Sequence, residues 1–303
     1  MKIGIIQMSV DFDKSKNLEK MANYVKKAKE IGADLAILPE MFNCPYSNKY
    51  FADYAEEKGG ESYTALSKAA ADNGIYLVGG SIPEKVEEDN VERIYNTSFV
   101  FDKKGDEMAR HRKVHLFDID VKDGWSAPSE PARPSIPGWS APSEPARPSI
   151  PGQKFFESET FTGGEDITVF DTEFGKMGLV ICFDIRFPEI CRLTALKGAK
   201  VLFAPGAFNM TTGPLHWEIL FRLRAVDNQL YTVGASPARD ENGVYVSYAN
   251  SIAVDPWGRV IYRADEKESI QVVDLDLEEI ERVREQLPLI NAMRKDVYRI
   301  EEK

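Results

Sequence analysis

Little in this chain invites metal, nucleotide or disulfide chemistry. Its 303 residues hold only three cysteines and three histidines. Cys44, Cys182 and Cys191 are too few, and odd in number, for a disulfide framework, so a reducing, cytoplasmic setting is expected. His111, His115 and His216 show no spacing with cysteine that resembles a zinc site. Glycine appears as isolated turns, Gly79-Gly80 and Gly163-Gly164, and not as a nucleotide-binding fingerprint. Neither a metal nor a cofactor is therefore expected. No apolar run approaches the roughly 18 residues of a membrane span, and Met1 to Val10 is too short and interrupted for a signal peptide. Basic residues are outnumbered, 38 to 49, giving a net charge of −11. That balance argues against a nucleic-acid or anionic-membrane partner, both of which need clustered Lys and Arg.

What is present is ordinary globular material, 43% hydrophobic and 29% charged, enough to bury a large core. Lys2 to Met8 reads as a strand, Lys14 to Glu30 as an amphipathic helix, and Leu35 to Leu38 as a short buried strand. A helix over Glu61 to Asn73 precedes strands at Gly74 to Ser81, Tyr95 to Phe101 and Glu107 to Lys113. Leu179 to Ile181 reads as a buried strand, followed by a helix over Pro188 to Leu196 and a strand over Val201 to Ala204. A helix over Pro214 to Asn228 comes next. Strands then dominate Leu230 to Val273, before a last helix near Leu277 to Glu285. The alternation indicates an α/β fold of packed layers with one or two mixed sheets.

One segment breaks the pattern. Gly124 to Pro137 recurs letter for letter as Gly138 to Pro151. Such identity points to a recent duplication or an insertion and not to a diverged structural repeat. Its proline content favours an extended, polyproline-like course. Each copy holds Pro-x-x-Pro-x-Arg, over Pro128 to Arg133 and Pro142 to Arg147, which is similar to an SH3-ligand core. An SH3-type partner is thus one reading of residues 125–152, and a passive spacer is the other.

Chemistry concentrates elsewhere. Cys182 sits where a buried strand ends and helix-start signals begin, at the strand edge where α/β folds carry their sites. A thiol nucleophile needs a base and a group to hold an oxyanion. Glu40 follows the strand Leu35 to Leu38 beside Pro39 and Phe42, where a partly desolvated carboxylate suits a base. Lys113 ends another strand, on the face shared with His111 and His115. Cys44 and Cys191 have no base nearby in sequence and read as inert. His216 and Trp217, at a helix start, read as capping and packing.

Three segments together are distinctive: Pro39-Glu40, Arg112-Lys113-x-His-Leu-Phe117 and Cys182-Phe-Asp-x-Arg-Phe-Pro-Glu189. The chain resembles the nitrilase superfamily of carbon–nitrogen hydrolases in these segments. The resemblance implies an α-β-β-α sandwich and a single hydrolase domain over 1–303. It implies a catalytic triad of Glu40, Lys113 and Cys182, supported by Glu157. It also places the insertion, because removing the 28 residues Trp125 to Gly152 restores a short loop between Lys113 and Glu157.

Further segments are similar to the ω-amidase branch, among them Pro39 to Tyr46, His115 to Asp120 and Phe208 to Trp217. That branch hydrolyses the terminal amide of 2-oxoglutaramate and 2-oxosuccinamate. The resemblance implies an amidase that needs no cofactor, acts on a small-molecule amide and pairs as a homodimer. The backbone N–H of Phe183 would hold the oxyanion. Arg186 would take the substrate carboxylate, its alternative being an ion pair with Asp184 or Glu189. Tyr46, Phe208, Met210 and Thr212 would shape the pocket, although Phe208 and Met210 read equally well as core. A nitrilase acting on nitriles is the nearer alternative, since the motifs do not separate the two substrates.

Overall fold

The computed structural model describes residues 1–122 and 152–303. The duplicated peptide, 124–151, therefore lies outside the described residues, as does the insertion 125–152 apart from Gly152. In chain order the first half holds β1 (Lys2–Gln7), α1 (Lys14–Glu30), β2 (Leu35–Ile37), α2 (Asn48–Tyr54) and α3 (Glu61–Asn73). It continues through β3 (Tyr76–Val78), β4 (Ile82–Glu88), β5 (Val91–Phe101), β6 (Glu107–Arg112) and β7 (Asp118–Val121). Then come β8 (Gln153–Phe156), β9 (Thr168–Thr172), β10 (Gly175–Leu179), α4 (Pro188–Leu196), β11 (Val201–Pro205) and α5 (Gly213–Asn228). The last elements are β12 (Tyr231–Ala235), β13 (Ile252–Val254), β14 (Val260–Arg263), β15 (Ser269–Asp274) and α6 (Glu278–Gln286).

Two sheets form the centre. One runs β15-β1-β2-β3-β5-β4 with β6 on β5, and the other runs β14-β13-β12-β11-β10-β9. Strands β1, β2 and β3 are parallel neighbours, as are β10, β11 and β12. Because strand side chains alternate, Ile3 and Ile5 face the second sheet, packing in one cluster with Leu179, Val201, Phe203 and Val233. Ile6, Ala36 and Leu77 face the other way, onto α1 and α3. Helices α4 and α5 cover the far face of the second sheet through Ile190, Trp217, Phe221 and Ala225. The layers are thus α-β-β-α, as the resemblance implied.

Local sequence explains the helices that frame the site. Asp13 caps α1 by accepting from Ser15 N, and Leu18, Met21, Val25 and Ala28 form its buried stripe. Each large apolar side chain so buried contributes about 1.5–3 kcal/mol. Helix α3 ends at Gly74, whose φ of 55° is the left-handed conformation glycine adopts without strain.

Three sequence expectations shift. The strand before Cys182 is Gly175–Leu179, so Val180 and Ile181 already lead out of the sheet. Strand β5 begins at Val91 and pairs with β4 in a hairpin that the sequence reading missed. Its turn residues, Asp89 and Asn90, have φ of 54° and 60°, the Asx preference of a tight hairpin turn. Strands β7 and β8 also went unread. They pair with each other from Asp118↔Phe156 to Val121↔Gln153, so the chain leaves and re-enters at adjacent positions around the undescribed segment.

Candidate active site

The candidate site gathers residues that follow the ends of β2, β6 and β10. Cys182 heads the 3-10 turn Cys182–Arg186 with φ of 47°, a left-handed conformation that a non-glycine residue adopts at a cost of about 1–2 kcal/mol. Such strain persists only where surrounding contacts over-determine it, and it turns the side chain out of the strand direction. Cys182 is nonetheless 4% exposed, so the thiol stands in a buried cluster.

Glu40, Lys113 and Glu157 meet there, all three with no exposed surface. Lys113 Nζ bonds Glu40 Oε1 at 3.0 Å and Glu157 Oε1 at 2.9 Å. Other donors complete the carboxylates. Asn96 Nδ2 donates to Glu40 Oε1 at 2.9 Å and Ala207 N to Glu40 Oε2 at 2.7 Å. Tyr46 Oη donates to Glu157 Oε1 at 2.7 Å and Phe117 N to Glu157 Oε2 at 2.6 Å.

Two buried carboxylates around one ammonium set the electrostatics. Burial opposes the charge on Lys113, yet Glu157 and Glu40 together overcome that penalty and hold it well above its ordinary value. Burial raises Glu157 despite the ammonium beside it. Burial likewise pushes the Cys182 thiol well up, and the negative charge of Glu40 pushes it further against the pull of Lys113. The resting thiol is protonated.

Asp184, two residues past Cys182, ties the Cys182 turn to the Lys113 segment. Its Oδ2 meets His111 Nε2 at 3.0 Å and Ile181 N at 3.0 Å, and its Oδ1 meets His115 N and Nδ1, each at 2.8 Å. Burial alone would raise this carboxyl, but the two histidines hold it well below the usual range. His111 and His115 flank Lys113, so the shared face read from the sequence does exist, although β6 ends at Arg112. Asp184 is consequently not an ion-pair partner of Arg186.

The remaining expected site residues separate. Arg186 lies over the Phe208 ring at 4.6 Å and donates Nη1 to His216 Nδ1 at 2.9 Å. Phe208 is 3% exposed and also packs edge-on against Trp217. His216 therefore does not cap α5; the residue at that helix's N-cap is Thr212, whose N and Oγ1 both bond Asn209 Oδ1. Met210 is partly buried in the turn before α5 and joins none of the core clusters. The Tyr46 hydroxyl is committed to Glu157, leaving its ring as the part that forms a wall, with Phe155 and Tyr245. Phe183 packs between Phe117 and Phe187, and its N–H opens the 3-10 turn, where the first N–H groups lack intrahelical acceptors. Burial raises the thiols of Cys44 and Cys191, the latter to about 12.

Sequence reasoning missed Asn96, Tyr245 and the N–H of Ala207. Tyr245 Oη donates to Ala207 O at 2.5 Å while its ring centroid lies 4.6 Å from that of Tyr46. No local motif marks these residues, because each arrives from a segment far off in sequence. A cleft of about 670 Å³ adjoins the centre on the carboxylate side, lined by Glu40, Tyr46, Ala207 and Tyr245 and, further out, by Lys20 and Arg239. Cys182 and Arg186 are not among its walls. Among the described residues no helix is long and apolar enough to cross a membrane.

Comparison with known proteins identifies the family and agrees with the fold. The carbon–nitrogen hydrolase family model matches residues 2–285. An omega-amidase of Xenopus tropicalis is 44% identical over 302 residues, covering 100% of this chain and 98% of the relative. Omega-amidases of mouse and human are 42% and 40% identical with the same coverage. Among solved structures, Nit3 of Saccharomyces cerevisiae, a nitrilase-superfamily member of branch 10, superposes with a TM-score of 0.80 at 37% identity. It covers 97% of this chain and 96% of its own. The NitFhit protein of C. elegans gives a TM-score of 0.81 at 30% identity, over 99% of this chain and 66% of its own.

Proposed function

The chain belongs to the carbon–nitrogen hydrolases, and from that premise we propose that it is an ω-amidase. It hydrolyses the terminal amide of short ω-amido dicarboxylates, 2-oxoglutaramate and 2-oxosuccinamate, to the acid and ammonia. The observation that carries the chemistry is the fully buried Lys113 ammonium bonded to two buried carboxylates, Glu40 and Glu157, in a chain whose one strained, buried cysteine is Cys182. The relatives named omega-amidase, at 40–44% identity over the whole chain, support the substrate class.

In this reading Glu40 takes the thiol proton as Cys182 sulfur attacks the amide carbon. Lys113 Nζ and the Phe183 N–H stabilise the oxyanion, and losing one such donor typically costs about 3 kcal/mol of barrier. The tetrahedral centre collapses, the C–N bond breaks, and protonated Glu40 gives its proton to the departing ammonia. The thioester that remains is hydrolysed by a water from which Glu40 takes a proton. Collapse returns that proton to the thiol and releases the acid. Glu157, bonded to Lys113 and Tyr46, holds the ammonium in place and balances its charge. Arg186 binds the substrate's remote carboxylate, and Phe208, Met210 and Thr212 lie on the segment that shapes that side.

The test is ammonia release from 2-oxoglutaramate by the wild type and Cys182→Ala; equal rates would overturn the assignment. A panel with matched nitriles separates amidase from nitrilase, the amidase reading requiring the amides to be turned over faster. We further propose a cytoplasmic homodimer, supported by three free thiols and by the exposed α5 row Leu215, Ile219, Leu223 and Val226. Sedimentation of Ile219→Glu should then show monomers, and an unchanged mass would exclude that face. The single domain is proposed to carry residues 125–152 as an insertion, consistent with the closed β7–β8 hairpin at its base. A second reading of the segment is display of a proline-rich peptide. SH3-domain capture by the full chain but not by a version lacking 125–152 would support it, and no capture by either would retire it.

A further inference from the structure

The Arg186 guanidinium is held in an unusual way for a half-buried cation. Among the described residues no carboxylate pairs with it, and its Nε has no hydrogen-bond partner. What holds it is the Phe208 ring at 4.6 Å, the Phe183 ring at 5.5 Å and His216 Nδ1 at 2.9 Å from Nη1. Helix α5 also fixes the backbone beneath it. Arg224 donates Nε to Ile185 O and Nη2 to Arg186 O, each at 2.9 Å. Thus α5 supplies both the acceptor for the guanidinium and the clamp on its main chain, eight residues apart on one helix.

An arginine has donors only, so His216 Nδ1 must be the acceptor, which leaves the ring neutral with its proton on Nε2. A doubly protonated ring would offer a second cation to the first. We propose that His216 is a positioning residue for substrate selection, acting as the neutral acceptor that aims the guanidinium of Arg186 at the carboxylate of the substrate. Taking up one N–H leaves Nε as a buried donor without a partner, and the Phe208 and Phe183 rings flank the guanidinium. Burial and the neighbouring guanidinium both lower the His216 pKa, which favours the neutral form needed. The proposal rests on the carboxylate-binding role of Arg186 and deepens it.

The experiment compares succinamate with butyramide, a pair matched in carbon count and differing in the terminal carboxylate. The readout is the ratio of their kcat/KM values. His216→Leu should lower this ratio about tenfold, the effect of one hydrogen bond to a charged group, chiefly through KM for succinamate. His216→Gln, whose amide oxygen can accept the same N–H, should restore most of it. In an Arg186→Ala background His216→Leu should cause no further change, which a merely structural role for the histidine would not produce. An unchanged ratio in His216→Leu, beside a reduced one in Arg186→Ala, overturns the role of His216 alone. An unchanged ratio in Arg186→Ala overturns the carboxylate role of Arg186 and this proposal with it. Thermal melting of each variant verifies that the comparison is made on folded protein.

Discussion

Replacing Lys113 by methionine tests the electrostatic reasoning most directly. The side chain is close to isosteric, so the change removes a charge and its hydrogen bonds without opening a large void. Glu40 and Glu157 are then left buried and facing each other without their common counter-charge. Removing one partner of a buried ion pair costs about 3–5 kcal/mol. For 303 residues, unfolding entropy of about 2.1 cal/mol/K per residue turns that into a Tm lowered by roughly 5–8 °C.

The loss should depend on pH. Without the ammonium, one proton is retained between the two carboxyls at a pH where the unfolded chain has already released it. A folded-state pKa raised above the unfolded value favours folding at low pH, and the benefit disappears as pH rises through it. The deficit of Lys113→Met is therefore smaller near pH 5 than near pH 8. Lys113→Met/Glu157→Gln, with one carboxylate neutralised, should regain at least about 1 kcal/mol while staying inactive. Calorimetric melts of the three proteins at both pH values measure this. A deficit independent of pH, or a double variant no more stable than the single one, would refute the electrostatic account.

Asp184→Asn replaces an acceptor of four hydrogen bonds by a group that sets N–H against N–H. Urea unfolding should show a loss of about 3 kcal/mol, and a loss under 1 kcal/mol would mean that the His111–Asp184–His115 link does not hold the turn. Cys182→Gly and Cys182→Ala are both expected to be inactive. The glycine variant should be the more stable by about 1 kcal/mol because φ of 47° suits it; an alanine variant of equal or greater stability would contradict the strain at Cys182.

The layered α/β class, α1, α3, α4, α5 and the central strands were legible because their apolar periodicity and capping residues are local. The hairpin at Asp89-Asn90 carried a local signal too, and was missed because the acidic run around it reads as loop. Gly175–Leu179 was placed too late because Val180 and Ile181 are as apolar as strand residues while already turning toward Cys182.

Glu40, Lys113 and Cys182 could be named from the sequence because each sits in a distinctive short segment near a strand end, and Glu157 only because the family resemblance implies it. The chain by itself thus determined the chemical groups and the family they belong to. Only the tertiary structure decided who touches whom. It set Lys113 between Glu40 and Glu157, gave Glu40 the N–H of Ala207 from 167 residues away, and took His216 from an expected cap to the partner of Arg186. Propensity and patterning act over a few residues. A buried charge is satisfied by whatever donor the folded layers bring within 3 Å, and no short stretch of sequence encodes that distance.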